Sequence, residues 1–488
     1  MTYDRILAII SKDALFYSLP LVVCALTVGC QPQIDESSAA TSGKDATAVP
    51  DTKSPDLSSK IPVDRLHSDQ GGLFGGAKKD ESLNLQKGST RKQPQITVDQ
   101  LRESALQALG DGQDDLAFQI VRKAIRMEPG NPQVVFLFAM VLGDRHRYAE
   151  AIQILQELAE REPVTRLPAL GQTAEWLVES GRYDEAEQQY RTILKEVPDA
   201  LMVHHRLGQL LLQSGRRTES AMHFDYLSQF GELDQEELRS LLIRSQAFPD
   251  DDQYTRFAPL TKLALCRQEL ASGKIDHVVD LLSEEDDQHS DGEIALLARL
   301  RSVSGQAVQE SIQQLGSVEA NADAWFARGS VALDQQNYPL AVGCFCRALL
   351  IDQTDADAYR RLSQALEKNG DTRTSRIAAA RAELVEQTRA LGADLVGEKG
   401  RDRELIAQLV SLLIQLQRPL EALGWQSVDL VYAVEAAAMS ETQAQTNFEA
   451  IGRQRAQLVD SGKHAIDPAF VLCGLGADAL DPTRVVSE

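Results

Sequence analysis

Apolar and small residues recur along this chain at helical spacing, and the helical stripes themselves recur every 34 residues. Leu101, Ala105 and Ala108 lie on one stripe, and Val135, Ala139 and Leu142 repeat it. A second stripe follows each turn, as in Ala186, Tyr190 and Ile193. Ala117, Ala151, Ala186 and Ser220 stand 34, 35 and 34 residues apart, and Pro129, Pro163 and Pro198 follow at 34 and 35. One residue is therefore inserted between the second and third copies. Four residues after each Ala or Ser comes a larger apolar residue: Val121, Leu155, Tyr190 and Phe224. Upstream, Ala105, Ala139, Ala174 and Gly208 share one small position. Each unit therefore reads as two helices joined by a turn such as "ESGRYDEA" (179–186) and ended by proline, which lacks the amide hydrogen needed to continue. Small residues on both helices let the axes approach, and larger ones fill the gap to the next pair. A lone pair leaves one face bare, so the units must stack.

This unit resembles the tetratricopeptide repeat. Residues 98–231 give four copies, and 322–355 gives the fullest one, with Trp325, Gly329, Tyr338, Ala341, Phe345 and Ala348 at the family's signature positions. Gln353 stands where the family has proline. Tyr359, Ser363, Leu366 and Gly370 open a further copy with a long, Ala-rich second helix. The resemblance implies an all-α fold, an α-solenoid of helix-turn-helix repeats whose first helices line a concave groove for an extended or helical peptide.

Elsewhere the period fades. Residues 232–320 read as degenerate helical repeats, with a helix-turn-helix around Gly273, an acidic break at 283–293 and a shortened pair after it. Residues 321–395 carry the later repeats. Residues 396–461 read as one more pair and a last helix, which Ser440 caps with Gln443 at the capping-box position. The tail, 462–488, has no period and is expected either to dock or to float.

The N-terminus is different material. An apolar run from Ala14 to Gly29 follows Arg5 and Lys12 and reads as the core of a signal peptide (residues 1–30). It ends in "LTVGC", which resembles a bacterial lipobox through Val28, Gly29 and Cys30, with Thr27 where leucine is usual. That resemblance implies lipidation of Cys30; an uncleaved anchor or another export signal is the alternative. Residues 31–97 are rich in Ser, Asp, Thr, Pro and Lys and poor in aliphatics, the composition of a disordered tether. Its root-mean-square reach is roughly 45 Å. The organisation is anchor, leash and body, exported and facing the periplasm.

Composition narrows the function. Over 488 residues the net charge is -22, and no basic stripe suits nucleic acid. Aromatics are 5%, low for a β-sandwich or propeller. Cys344 and Cys346 stand two apart on a helix, about 200° around its axis, so they read as packing residues and not as a C-x-C metal site. A bridge from Cys266 to either one stays open in an oxidising compartment. In "MVHHRLGQ", His204 is expected to face the core and His205 the groove. Neither has a metal-ligating neighbour at i+3 or i+4, so structural or ligand-contacting roles are expected. No phosphate loop, nucleophile elbow or zinc-protease motif occurs, and no cofactor, metal or catalytic residue is nominated.

Carrying the family's groove positions over copy by copy gives Arg102, Leu106, Leu109, Phe136, Met140, Glu175, Val178, Met202, His205, Gln209 and Leu212. Phe326, Ser330, Leu333, Arg360 and Gln364 continue the set. The first group is apolar for a surface and suits a hydrophobic peptide or helix. The Lys and Asn clamp that family members use for acidic chaperone tails is replaced by Arg102, Phe136, Gly171 and His205. The expected function is an exported, membrane-tethered scaffold, not an enzyme, holding a protein or peptide partner. The alternatives are an assembly lipoprotein of an envelope machine, the repeat part of a split larger protein, or an enzyme using the C-terminal region.

Overall fold

The computed structural model describes residues 96–249, 256–283, 289–306, 308 and 320–480. The signal and lipidation readings, almost all of the tether, most of the second half of the shortened pair (307 and 309–319) and the end of the tail lie outside them. Every regular element among the described residues is helical.

The first array comprises α1 (Val98–Gly110), α2 (Asp114–Met127), α3 (Pro132–Asp144), α4 (Tyr148–Arg161), α5 (Arg166–Glu179), α6 (Tyr183–Glu196), α7 (Leu201–Gln213) and α8 (Arg217–Ser228). Local chemistry sets the ends. Thr97 and Gln100 close a capping box on α1, and Asn131 caps α3 with Pro132 at the first helical position. Pro129, Pro163 and Pro198 each fall two residues past the end of α2, α4 and α6. The turns at Gly181 and Gly215 use φ of +76° and +77°, where glycine alone is unstrained. The linker before α5, with its 3₁₀ turn Pro163–Thr165, is as long as the others, and the residue inserted between the second and third copies lengthens α5 to 14 residues where α1, α3 and α7 have 13.

The small-on-small pairs pack as the period requires. Ala105, Ala117, Ala139, Ala151, Ala174 and Ala186 are fully buried. In the fourth copy Gly208 and Ser220 replace the alanines. A Cβ on Gly208 would meet the Phe224 ring at 2.7 Å, and the Ser220 hydroxyl donates to the Gly208 carbonyl at 2.7 Å.

Beyond Ser228 the path changes. Helix α9 (Gln235–Leu241) starts with a capping box of Asp234 and Glu237. It is not a repeat helix. The chain continues through α10 (Lys262–Ala271), α11 (Ile275–Leu281), α12 (Asp291–Val303), α13 (Ala322–Asp334), α14 (Tyr338–Ile351), α15 (Ala356–Lys368), α16 (Thr372–Asp394), α17 (Arg403–Gln415) and α18 (Pro419–Glu435). It then returns to α9. Leu238, Leu242, Ile243 and Phe248 share one buried cluster with Leu395, Ile406, Leu409, Leu413, Trp425 and Val428. Glycines make the room: a Cβ on Gly424 would meet Leu238 at 2.6 Å, and one on Gly392 would meet Leu242 and Phe248 at 2.8 Å. Arg239 donates to the Gly392 carbonyl at 2.7 Å, Arg418 to that of Leu241 at 2.6 Å, and Gln235 to that of Gly400 at 2.9 Å. The second half of the solenoid is thus closed on itself around α9.

Helix α19 (Glu441–Asp460) carries the Ser440–Gln443 capping box read from the sequence. The tail docks as far as Leu480. Val471, Leu472 and Cys473 are buried beside Phe345 and Tyr359 within one cluster, around a short helix α20 (Pro468–Val471). Tyr359 donates to the Val471 carbonyl at 3.1 Å, and the Arg381 guanidinium sits 3.4 Å over the Phe470 ring.

Candidate functional site

Helices α1, α3, α5 and α7 are the first members of their pairs and carry the groove positions of the first array. Arg102 is partly exposed and lies 3.4 Å from Asp99; Leu106, Leu109, Val178 and Met202 are half-buried. Glu175 accepts from the Tyr190 hydroxyl at 2.8 Å and pairs with Arg206 at 3.1 Å, which links α5 to α7. These are the expected groove positions of the first array that keep some exposure.

Several expected groove residues are not on it. Phe136 and Met140 are 4% and 8% exposed, inside a cluster with Leu106, Leu109, Leu170 and Leu260. Side chains of neighbouring copies close over them. Leu212 is buried with Leu241 and Phe257. Phe326 is buried against Phe345, with the Arg299 guanidinium 4.0 Å over its ring, and Ser330 and Leu333 are buried too. Arg360 is exposed, but it pairs with Asp357 at 2.6 Å and Glu386 at 3.1 Å.

His205 corrects the reading most informatively. It faces inward, as its register position requires, yet it is buried because the chain's own Glu237 covers it. Glu237 Oε1 lies 3.0 Å from His205 Nδ1 and accepts from Gln209 at 2.9 Å, with Arg256 at 3.3 Å. Burial alone would raise the Glu237 carboxyl. The hydrogen bonds from His205 and Gln209 and the charge of Arg256 outweigh it and hold the group below its ordinary value. The following segment continues the seal, since Leu260 donates to the Gln213 carbonyl at 2.9 Å and Thr261 to that of Ser214 at 2.9 Å. The groove at the fourth copy is therefore occupied from within. The sequence reading missed Glu237 and Arg256. The Asp234–Glu237 capping box marks a helix start, but nothing local says where that helix docks.

His204, expected to face the core, is half-buried at the edge of the copy. It stacks on Tyr226 with ring centroids 4.3 Å apart.

A cleft of about 290 Å3 lies where the two ends of the closed half meet, lined by Asp225, Arg244, Arg418, Glu421 and His464 among others. Arg244 pairs with Asp225 at 2.7 Å through both terminal nitrogens, and Arg418 grips Glu421 at 2.6 Å and 2.8 Å. Burial would lower the Arg244 guanidinium, but Asp225 and Glu421 keep it firmly charged. Each of these two arginines is thus paired with a carboxylate of the same cleft.

A buried ladder of ion pairs spans the second half. Arg267 meets Asp323 at 2.9 Å, Asp323 meets Arg299 at 3.2 Å, and Arg299 meets Asp355 at 2.5 Å. Burial favours the neutral Asp323 acid, yet Arg267 and Arg299 hold it below its ordinary value. All four cysteines among the described residues are buried and free, so the Cys266 bridge does not form here. Burial pushes the Cys344 thiol up to about 11 and that of Cys346 up to about 12, which makes both poor nucleophiles and poor ligands. Among the described residues no three His, Cys, Asp or Glu side chains are placed to hold a metal ion, and no helix is long and apolar enough to cross a membrane.

This is an α-solenoid of stacked helix pairs, open at its first array and closed at its second. A tetratricopeptide repeat model matches residues 174–228 and 326–390, so these two segments are tetratricopeptide repeats. It is similar to an uncharacterised protein, y4yS, of Sinorhizobium fredii, with 29% identity over 121 residues, or 25% of this chain. The chain spans 64% of the length of that relative. Among solved structures it resembles a tetratricopeptide repeat protein of Parabacteroides merdae (16% identity, 55% of this chain and 98% of that one, TM-score 0.23). It also resembles the TPR2AB domain of yeast Sti1 in its complex with pHSP90 (13% identity, 73% and 98%, TM-score 0.27). At such TM-scores no function passes to this chain from either structure.

Proposed function

We propose that the protein is an exported, membrane-tethered scaffold that holds a protein partner on the inner face of its first array. The carrying observation is that groove positions Arg102, Leu106, Leu109, Val178 and Met202 keep some exposure, while Glu237 covers His205 in the fourth copy and Phe326, Ser330 and Leu333 are buried. Half-exposed aliphatic side chains beside Arg102 suit a mostly apolar segment, helical or extended, with an acidic group toward α1. The net charge of -22 speaks against nucleic acid as the partner. Tethering rests on the apolar run that ends in Val28, Gly29 and Cys30. The role is non-catalytic: no catalytic motif occurs in the chain, and the charged groups of the cleft are already paired with one another.

Two experiments test this. A pull-down from solubilised membranes compares wild type with a Leu106→Glu, Met202→Glu double variant. A partner that survives in the folded variant rules out the inner face as its seat. Separately, labelling with a clickable fatty acid should mark the wild type and not Cys30→Ser; equal labelling of both removes the lipid anchor from the proposal.

A further inference from the structure

We propose that the face of α14 and α16 covered by the chain's own tail (466–480) is a docking site for a short partner segment carrying an aromatic residue followed by two aliphatic ones. This face departs from the repeat at two register positions. Gln119, Gln153 and Gln188 stand exposed on α2, α4 and α6, and the same position on α14 is Gly343, which is buried. A Cβ there would meet the Ala479 carbonyl oxygen of the tail at 3.0 Å. Three residues on, Arg122, Gln156 and Arg191 give way to Cys346, fully buried in one cluster with Val471, Leu472 and Cys473. Helix α14 is therefore narrowed and made apolar where a segment crosses it.

The body grips that segment by its main chain. Tyr359 donates to the Val471 carbonyl at 3.1 Å, Arg381 to that of Phe470 at 3.4 Å and Arg347 to that of Leu480 at 2.8 Å. All three bonds run from a body side chain to a carbonyl, a group that every peptide carries. Side chains are selected at two places. The Phe470 ring lies under the Arg381 guanidinium, and Val471 and Leu472 enter the apolar cluster. The tail thus spells out the chemistry that the face accepts.

The tail is also held lightly enough to leave. Val471, Leu472 and Cys473 are the buried ones among its described positions, and an exposed turn at 461–463 joins it to α19. Segments with so few buried contacts open without unfolding the rest. Being part of the chain, the tail competes at an effective concentration of about millimolar order, so it excludes segments that do not match its pattern. This face is separate from the inner face of the first array, and either site can fail without the other.

The test uses the full-length chain and a fluorescent peptide with the sequence of residues 464–480, read by anisotropy. Val471→Asp with Leu472→Asp ejects the chain's own tail and leaves α14 and α16 unchanged. The peptide should bind this variant saturably and the wild type at least about tenfold more weakly. A peptide carrying Phe470→Ser should lose at least about tenfold in affinity for the variant. Absence of saturable binding to the folded variant, or equal binding of the two peptides, overturns the site. Where the variant unfolds, hydrogen exchange of the wild type decides: amides at 471–475 should exchange faster than those of α14, and equal protection overturns displacement. Wild-type dimers in sedimentation that vanish in the double variant would assign the face to the tail of a second copy and overturn the partner reading.

Discussion

Gly329→Ala and Gly452→Ala are the same chemical change in two helices, and the packing around them predicts opposite signs. A Cβ on Gly329 would lie 2.7, 2.9 and 2.9 Å from three carbons of the Phe345 ring, where about 3.5–4.0 Å is comfortable. The ring must therefore retreat by most of an ångström. It is fully buried and stands edge-on to Phe326 at 5.7 Å, and Phe326 is itself capped by Arg299. Overpacking of this kind costs about 1–3 kcal/mol. Alanine regains about 0.8–1 kcal/mol over glycine in a helix interior, so Gly329→Ala should be destabilising by about 0–2 kcal/mol net. Gly452, inside α19, has nothing within 4 Å of its would-be Cβ, so Gly452→Ala should stabilise by the full propensity term. The difference between the two, about 1–3 kcal/mol, isolates the ring contact. Hydrogen exchange of the α13, α14 and α19 amides is the assay, because a long array need not unfold in one step. Phe345→Leu should make Gly329→Ala tolerable, which appears as coupling in the double-mutant cycle. Equal protection changes for the two alanines, or no coupling to Phe345, would refute the close approach of α13 and α14 at Gly329.

Ala341, fully buried in the same pair, should lose several kcal/mol as Ala341→Asp, by about the cost of burying an uncompensated charge, whereas Gln335→Asp in the exposed turn should shift stability by less than about 0.5 kcal/mol; equal melting shifts would mean the register is wrong. Asp323→Asn strips the shared partner from Arg267 and Arg299 and should cost about 3–5 kcal/mol, so a urea midpoint near wild type would show that the ladder is idle. Because the Glu237 carboxyl is held below its ordinary value of 4.5, its contribution is present above that pH and is lost as the pH falls through the lowered value. Glu237→Gln should therefore lower the melting temperature at neutral pH and flatten its decline in acid; parallel melting curves across pH would remove Glu237 from the stability of the fold.

The stacked pairs were legible because everything that makes them is local. The small residues at 105, 139, 174 and 208 and their partners at 117, 151, 186 and 220 lie within one period, and each pair packs as that spacing demands. The inserted residue after Pro163 was legible as well, and α5 absorbs it, with 14 residues where α1, α3 and α7 have 13. The state of the inner face was not. Phe136 and Met140 occupy groove positions by register, but whether such a position stays open depends on the bulk of neighbouring copies. His205 is covered by a carboxylate 32 residues later, and Arg418 reaches a carbonyl 177 residues earlier. No periodic signal encodes separations like these.

The closure also divides the labour within the molecule. Arg239, Gln235 and Arg418 each donate to a backbone carbonyl of the facing segment, at Gly392, Gly400 and Leu241. The bonds from the charged Arg239 and Arg418 contribute about 1.5–3 kcal/mol each and the neutral one from Gln235 about 0.5–1.5 kcal/mol, and these bonds fix register, since a carbonyl cannot be swapped for another by a rotamer change. Bending the second half would break such bonds and expose the cluster around Trp425. Among the described residues of the first three copies, side-chain links run between neighbouring copies, as Glu175 to Arg206 does, whereas the fourth copy is tied to the following segment by Arg267, which donates to the Gly215 carbonyl at 2.9 Å. Curvature is therefore expected to adjust in the first three copies at little cost, while the second half keeps one shape. A partner that selects among curvatures would act on α1 to α6, and the rigid half, with Glu237 reaching into the fourth copy, marks where that adjustable surface ends.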